Sequence, residues 1–339
     1  MMLNYAGGFH AAVDRVVELE KAGLDVVWIA EAYSADAISQ VGYLAAKTSR
    51  VEIGTGIVNV YSRTAALMAM TAAGCDYVSN GRFILGLGAS GPQVIEGFHG
   101  VPYEKPMQRI KEYIDACRMI WKREQPFQMN GQTVKVPLPA GEGTGLGKPL
   151  KIIAHPRRAD IPIWIAALGP KNVEMTAEIA DGWMPIFFLP DRANDVWGAD
   201  LASGTSRRDP SLSSLEITAG GLVAIGDDAA STVDLMRPMA ALYIGGMGAK
   251  GRNFYNDLLC RYGWEAEAER IQDLYLDGKK DEAAALVPEE FLRLTNLCGP
   301  EGFVRERLAA FADAGVTVLN VQLVGGDPVA TIDKLRSWM

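Results

Sequence analysis

The sequence predicts an α/β protein of the (β/α)8 TIM-barrel class, and three observations lead there. Short β-branched runs alternate with helical patterns along the chain, which is the mark of βα units around a parallel sheet. Eight strands and eight helices follow in order, and eight such units close into a barrel. The chain has 339 residues, of which 49% are hydrophobic, enough for a large core in one domain.

Met2–Tyr5 reads as a brief strand and His10–Ala22 as a helix ending at Gly23. Asp25–Ala30 is the next strand, Ala37–Thr48 a helix, and Val51–Val60 a strand broken by Gly54 and Gly56. Arg63–Val78 is helical and Phe83–Leu87 an apolar strand. Pro106–Arg123 places Met107, Ile110, Ile114, Cys117 and Ile120 at helical spacing. Residues 124–160, rich in Gly and Pro, form an excursion with a hairpin. Ile163–Leu168, Trp183–Phe188 and Ile217–Ile225 continue the strands, with helices over Asn172–Ala180 and Ala229–Tyr243. Residues 249–298 form an insertion of short helices, then a helix over Gly302–Ala314, a strand at Val316–Val324 and a last helix over Pro328–Trp338. The expectation is a single domain over 1–339, with insertions at about 124–160 and 249–298 that cover the C-terminal face or make a subunit contact.

In a barrel the site lies in the loops at the carboxyl ends of the strands. These include Tyr5–Phe9, Glu31–Asp36, Gly56–Thr64, Gly88–Gly100 and Gly169–Lys171. The stretch Gly86–Gly100 is the richest in glycine. Successive N–H groups unshielded by Cβ atoms suit an anion, although glycines also make ordinary turns.

The net charge of −8 argues against general binding of nucleic acid or anionic membranes. Cys75, Cys117, Cys260 and Cys298 are far apart and read as reduced thiols. His10, His99 and His155 lack metal-ligand spacing, so no metal site is expected. No apolar run reaches the roughly 18 residues of a membrane span and no signal segment opens the chain. A cytoplasmic, soluble protein is expected.

Several runs together resemble the luciferase-like flavin and deazaflavin oxidoreductases: Val27-Trp28-Ile29-Ala30-Glu31-Ala32-Tyr33, Ile53-Gly54-Thr55-Gly56-Ile57, Gly81-Arg82-Phe83-Ile84-Leu85-Gly86-Leu87-Gly88-Ala89, Ala166-Ala167-Leu168-Gly169-Pro170 and Ala180-Asp181-Gly182-Trp183. The wording from Ala89 through Gly100 is most similar to the branch using coenzyme F420, an 8-hydroxy-5-deazaflavin. The resemblance implies hydride transfer between deazaflavin C5 and a small organic substrate, in a homodimer. It also implies a strand bulge holding a cis peptide without proline, here Gly56–Ile57. Cofactor contacts are expected from Gly56, Ile57, Asn59, Gly88, Ala89, Ser90, Gly91, Ala167, Gly169 and Lys171. Lys148, Lys151, Arg157 and Arg158, with His155 between them, are candidates for the anionic tail or a merely solvated run.

The related sugar-phosphate dehydrogenases carry an Asp-His pair where this chain has Glu31-Ala32, and a carboxylate where it has Gly91. Without both groups, removal of a hydroxyl proton lacks its machinery. Reduction of an activated C=C, C=N or C=O bond asks only for a hydride and a proton. Proton-handling candidates are Glu31, Tyr33 and Glu96, with His99 and Tyr5 behind them. Glu31 reads equally as a hydrogen-bond acceptor, Tyr33 as a packed rim aromatic, and His99 as a structural loop residue. Trp183 and Phe187-Phe188 wall the pocket or pack in the core. Other readings are an FMN-dependent luciferase-like monooxygenase, a methylenetetrahydromethanopterin reductase-like enzyme, and a silent cofactor-binding barrel.

Overall fold

Val26–Ile29 is four apolar residues with no polar face, the composition of a strand covered on both sides, and all four are buried. The computed structural model describes residues 1–3 and 7–339. The chain divides into two compact units, residues 2–166 and 167–339.

In the first unit β1 (Met2–Leu3), α1 (Phe9–Lys21), β2 (Val26–Ile29), α2 (Ala37–Lys47), β3 (Glu52–Thr55), β4 (Val58–Asn59), α3 (Ala65–Val78) and β5 (Phe83–Gly88) follow in order. After them come α4 (Pro92–Gly97), α5 (Pro106–Lys122), the antiparallel hairpin β6 (Met129–Asn130) and β7 (Lys135–Val136), and β8 (Ile163–Ile165). The main strands pair in parallel, with Met2 opposite Trp28, Trp28 opposite Gly54, Gly54 opposite Ile84 and Gly86 opposite Trp164. Local chemistry sets the helix starts. The Asp36 carboxylate accepts the Ser39 N–H and the Thr64 hydroxyl accepts the Leu67 N–H, each satisfying a donor that a first turn leaves open.

Arg82 bolts the opposite ends of these helices. Its guanidinium donates to the carbonyls of Ala45, Thr48, Val51 and Ser79 and to the Thr48 hydroxyl, so it satisfies acceptors at the carboxyl ends of α2 and α3. Beside it Glu20 receives the N–H groups of Ser49, Arg50 and Val51. Burial pushes the Glu20 carboxyl up, but these bonds and Arg82 outweigh it and hold it below the usual range.

The second unit contains α6 (Pro170–Ile179), β9 (Gly182–Trp183), α7 (Pro190–Thr205) and the long β10 (Glu216–Ile225). Then follow α8 (Arg237–Ala241), α9 (Phe254–Arg261), α10 (Glu265–Leu276), α11 (Lys280–Ala285), α12 (Glu289–Leu294), β11 (Leu297–Gly299), α13 (Glu301–Asp313), β12 (Val318–Leu323) and α14 (Pro328–Trp338). β10 pairs in parallel with β9, β11 and β12. Its aromatic core sets Trp183 edge-on to Trp197 at 5.1 Å and stacks Phe188 on Trp197 at 5.8 Å.

Several segments depart from expectation. Inside the Gly88–Gly100 loop stands α4, begun by Pro92 and by the Gly91 carbonyl, which accepts from Val94 and Ile95; it is too short to show a period. Trp183–Phe188 pairs only through Trp183, because Pro185 has no N–H to donate and Phe187 turns the chain with φ of 56°. Ile163–Leu168 likewise ends its strand at Ile165. Helix α7 was hidden by its Asp, Asn and Gly content, although Ala193, Val196 and Trp197 form its buried face. Ala229–Tyr243 is not one helix: a 3-10 stretch over Ala229–Met236 precedes α8, and π-type turns follow it. β11 is a strand within the insertion that read as helices alone. The strand reading of Met2–Tyr5 extends past the described residues.

The hairpin of the 124–160 excursion is fastened to α5 by one carboxylate. Glu112 accepts the N–H groups of Gln132, Thr133 and Val134, the Thr133 hydroxyl and the Gln108 amide. Burial pushes its carboxyl up, but these donors outweigh that and hold it at about 2. A folded value below the unfolded one stabilises above the unfolded pKa and is lost as pH falls through the folded one. Glu112→Gln is therefore expected to lower stability near neutral pH by about 2–3 kcal/mol. The gap to the parent protein closes as pH falls from about 5 toward about 2. Thermal melts of both proteins across that window check it; a gap independent of pH would contradict the assignment.

Candidate active site

The ladder between the third and fourth main strands holds one residue too many. Gly54 lies opposite Ile84 and Val58 opposite Leu87, so the chain takes four steps on one side against three on the other. The surplus is a bulge at Gly56–Ile57, and that peptide is cis, as the resemblance implies. Thr55 bridges the opened ladder: its hydroxyl donates to the Gly86 carbonyl and accepts the Gly86 N–H, both at 2.9 Å. On the other side the Gly56 N–H reaches Ile29, and the Ile57 carbonyl receives the Glu31 N–H.

The bulge leaves Ile57 half-buried. A Cβ on Gly88 would stand 3.0 Å from the Ile57 side chain and 3.7 Å from the Ala166 Cβ, so glycine at 88 gives Ile57 its place. Deeper in the unit, Trp28 and Trp164 meet at 5.1 Å, and Gly54 has no room for a Cβ, which would fall 2.2 Å from the Trp28 ring. Asn59 is buried, and its Oδ1 accepts the N–H groups of Tyr61 and Ser62. Its side-chain oxygen thus shapes the turn after β4.

Glu31 is held in a clamp. Arg63 meets it with two nitrogens at 2.7 and 2.8 Å, the Ala37 N–H adds a third bond, and Arg63 also reaches Asp36 at 2.9 Å. Both side chains of the pair are nearly buried, at 10% and 12% exposure. The bond to Glu31 raises the Arg63 pKa. Of the two readings of Glu31, this geometry favours the hydrogen-bond acceptor, which fixes the loop after β2 to the loop after β4. Arg63 was missed because a lone arginine before a helix cap carries no pattern. Nearby, burial drives the Cys75 thiol up to about 12 against the opposing effect of Arg63, which marks it as unreactive.

Glu96 is exposed, and its carboxylate accepts the Tyr103 N–H at 3.1 Å. The Tyr103 hydroxyl donates to the Ser90 carbonyl, and its ring stacks on Tyr61 at 5.2 Å. These bonds draw the loop around α4 into a fixed shape. Ser90 has φ of 58° and an exposed side chain, Ala89 is half-buried, and Gly91 caps α4. Tyr33 is exposed and stands 6.2 Å from Phe98, whose ring meets His99 at 5.4 Å. Tyr5 lies outside the described residues.

Members of the run that read as a candidate for the anionic tail or as merely solvated have partners of their own. Arg158 donates to the fully buried Asp76 and to the Phe83 carbonyl, and Arg157 packs beside Gly81. Both therefore sit at the amino end of β5, whereas Gly88–Ser90 leaves its carboxyl end, about 16 Å along the strand. Lys151 donates to the Glu124 carbonyl beyond the far end of α5, and Arg123 binds His155. A buried aspartate and a strand carbonyl claim Arg158, and a loop carbonyl claims Lys151.

In the second unit Gly169 caps α6 without a side-chain hydrogen bond, nothing stands within 4 Å of where its Cβ would be, and Lys171 is exposed in the first turn. An unshielded helix start of this kind suits a phosphate. The Ala167 carbonyl accepts the indole N–H of Trp183 at 2.9 Å; Trp183 is fully buried and belongs to the core. Among the described residues no group of three or more His, Cys, Asp or Glu is placed to hold a metal, and no helix is long and apolar enough to cross a membrane.

Removing one member of a nearly buried ion pair strands the other. Arg63→Met is expected to cost about 3–5 kcal/mol, and Glu31→Gln combined with Arg63→Met to cost less than the sum of the singles. Chemical denaturation of the singles and the double closes the cycle; additive losses would show that the clamp carries no coupling.

The luciferase-like monooxygenase family matches residues 1–318. A Mycobacterium tuberculosis protein assigned by name to the coenzyme F420-dependent oxidoreductases is 42% identical over 324 residues, covering 94% of this chain and 92% of that one. The 5,10-methylenetetrahydromethanopterin reductase of Methanolobus tindarius is 28% identical, covering 91% and 88%. The solved coenzyme F420-dependent tetrahydromethanopterin reductase of Methanopyrus kandleri superposes with a TM-score of 0.77 at 22% identity, over 99% of this chain and 96% of that one. That likeness gives the fold as the (β/α)8 barrel expected from the strand and helix alternation. The chain belongs to the luciferase-like monooxygenase family.

Proposed function

We propose that the chain is a coenzyme F420-dependent oxidoreductase that works as a reductase of an activated C=C, C=N or C=O bond in a small organic substrate. The observation that carries this reading is the bulge: a half-buried Ile57, packed closely over Gly88, offers one face of a planar ring an apolar shelf. The M. tuberculosis relative, matched over nearly its whole length, supports the deazaflavin as the ring.

Ile57, Gly56, Gly88 and Ala89 would hold the ring, with Ser90 and Gly91 at its edge and Asn59 keeping the turn behind it. Gly169 and Lys171 at the start of α6, with Ala167 before them, are the residues proposed for the phosphate. When bound, the reduced deazaflavin supplies a hydride to one atom of the substrate double bond. The other atom takes a proton, and the chain has to provide or admit it. Glu31 is committed to Arg63 and the Ala37 N–H, and Glu96 to the Tyr103 N–H. Exposed Tyr33 is the proposed donor, Glu31 the residue that positions its loop. A homodimer in the cytoplasm completes the proposal.

Titrating purified protein with coenzyme F420 and with FMN tests the reading; tight FMN binding without deazaflavin binding would overturn it. Gly88→Ala puts a methyl 3.0 Å from Ile57. Overpacking of that kind is expected to weaken deazaflavin binding about tenfold while the fold survives, read by quenching of deazaflavin fluorescence. Unchanged affinity would remove Ile57 from the ring site.

A further inference from the structure

Tyr33 and Phe98 break the usual habit of hiding large aromatic rings. Both are more than half exposed, at 62% and 66%, and they face each other at 6.2 Å and 53°. Scattered exposed apolar residues need no explanation, but an adjacent pair at the ligand end of the strands does. The two come from different loops, Tyr33 from the one after β2 and Phe98 from the end of α4 after β5. Neither loop is loose. The Tyr33 loop is tied by the Glu31 clamp and by the Glu31 N–H on the bulge carbonyl. The Phe98 loop is tied by the N–H groups of Phe98 and His99 on Val94, by Glu96 on Tyr103, and by Tyr103 on Ser90. The fold therefore holds the pair exposed.

Each cation of the same region already has a partner. On the loops after β2, β4 and β5 and the first turn of α5 they are Arg63, Lys105 and Arg109. Arg63 is bound to Glu31 and Asp36. Lys105 donates to Gln132. Arg109 lies over the rings of Tyr61 at 4.7 Å and Tyr113 at 6.0 Å, with its Nε buried and without a hydrogen-bond partner. A phosphate or carboxylate on the substrate would have to share these cations with the partners they already have.

We infer that the substrate is uncharged, flat and conjugated, and that its body lies against the Tyr33–Phe98 pair, with Phe98 setting specificity. This rests on the proposed reductase. In the reaction a hydride adds to the β-carbon of an enone, its pair forming the new C–H bond; the C=C π pair takes a proton at the α-carbon, and the reduced deazaflavin is oxidised. Phe98 takes no part in those bonds and acts by stacking on the plane that the double bond extends.

Two probes of the same outline separate charge from shape: 4-phenylbut-3-en-2-one, which is neutral, and trans-cinnamate, which is anionic. With coenzyme F420 in its reduced form, the neutral enone is expected to be bound at least about tenfold better than cinnamate. Phe98→Ala is expected to raise KM for the enone about fivefold to tenfold with kcat changed by less than about twofold, and Phe98→Trp to restore KM. An enone KM that Phe98→Ala leaves unchanged, or a preference for cinnamate, would overturn the inference. Deazaflavin affinity is measured separately by fluorescence, and enone binding without cofactor by equilibrium dialysis. Loss of the first alone defeats the reductase reading; enone binding that ignores Phe98 defeats this one.

Discussion

One surplus residue between Gly54 and Val58 organises the candidate site. Parallel ladders demand equal steps on both strands, so four against three forces the chain outward. The exposed backbone groups must still be satisfied, and each partner found for them fixes another element. Thr55 takes both polar groups of Gly86, so the strand after the bulge resumes in register. The bulge carbonyl takes the Glu31 N–H, so the loop after β2 starts from a fixed point. Arg63, carried on the chain leaving β4, then closes on the Glu31 side chain. A one-residue mismatch thereby becomes a rigid corner from which Ile57 projects.

The buried carboxylates of the first unit divide labour from the site. Glu20 gathers three backbone N–H groups, Glu112 five donors, and Asp76 the Arg158 guanidinium. Each satisfies groups that would otherwise be left without water or partner, at a cost of about 1–3 kcal/mol apiece. Glu20 and Glu112 are fully engaged, and Asp76 is sealed from water with its Oδ2 unpartnered; such acids hold structure and are poor at passing protons. A proton for chemistry comes more readily from a group with few bonds to lose, which directs attention to an exposed phenol.

The alternation of elements was legible because it rests on period alone. Pro106–Lys122 and Pro328–Trp338 came out near their observed limits since a proline starts each and an apolar face runs through it. The Gly56–Ile57 bulge was legible through resemblance, whereas spacing alone left an ordinary glycine bend open. What stayed hidden depends on partners distant in sequence. Arg63 and Glu31 are 32 residues apart, Arg158 and Asp76 are 82, and no local pattern tells an arginine which carboxylate it will meet. Arg158 read as part of a basic run for the same reason.

That reassignment changes how an anionic tail would be met. At the amino end of β5 Arg158 is spent on Asp76 and Arg82 on five acceptors, while Arg157 packs beside Gly81. At the carboxyl end the cations are engaged too, and the surface is aromatic and glycine-rich. Backbone N–H groups are further donors for an anion, and they carry no counterion and need no rotamer to be frozen. A glycine-rich turn is the kind of segment that leaves such groups open to a ligand, and the run from Gly86 to Gly100 has that composition.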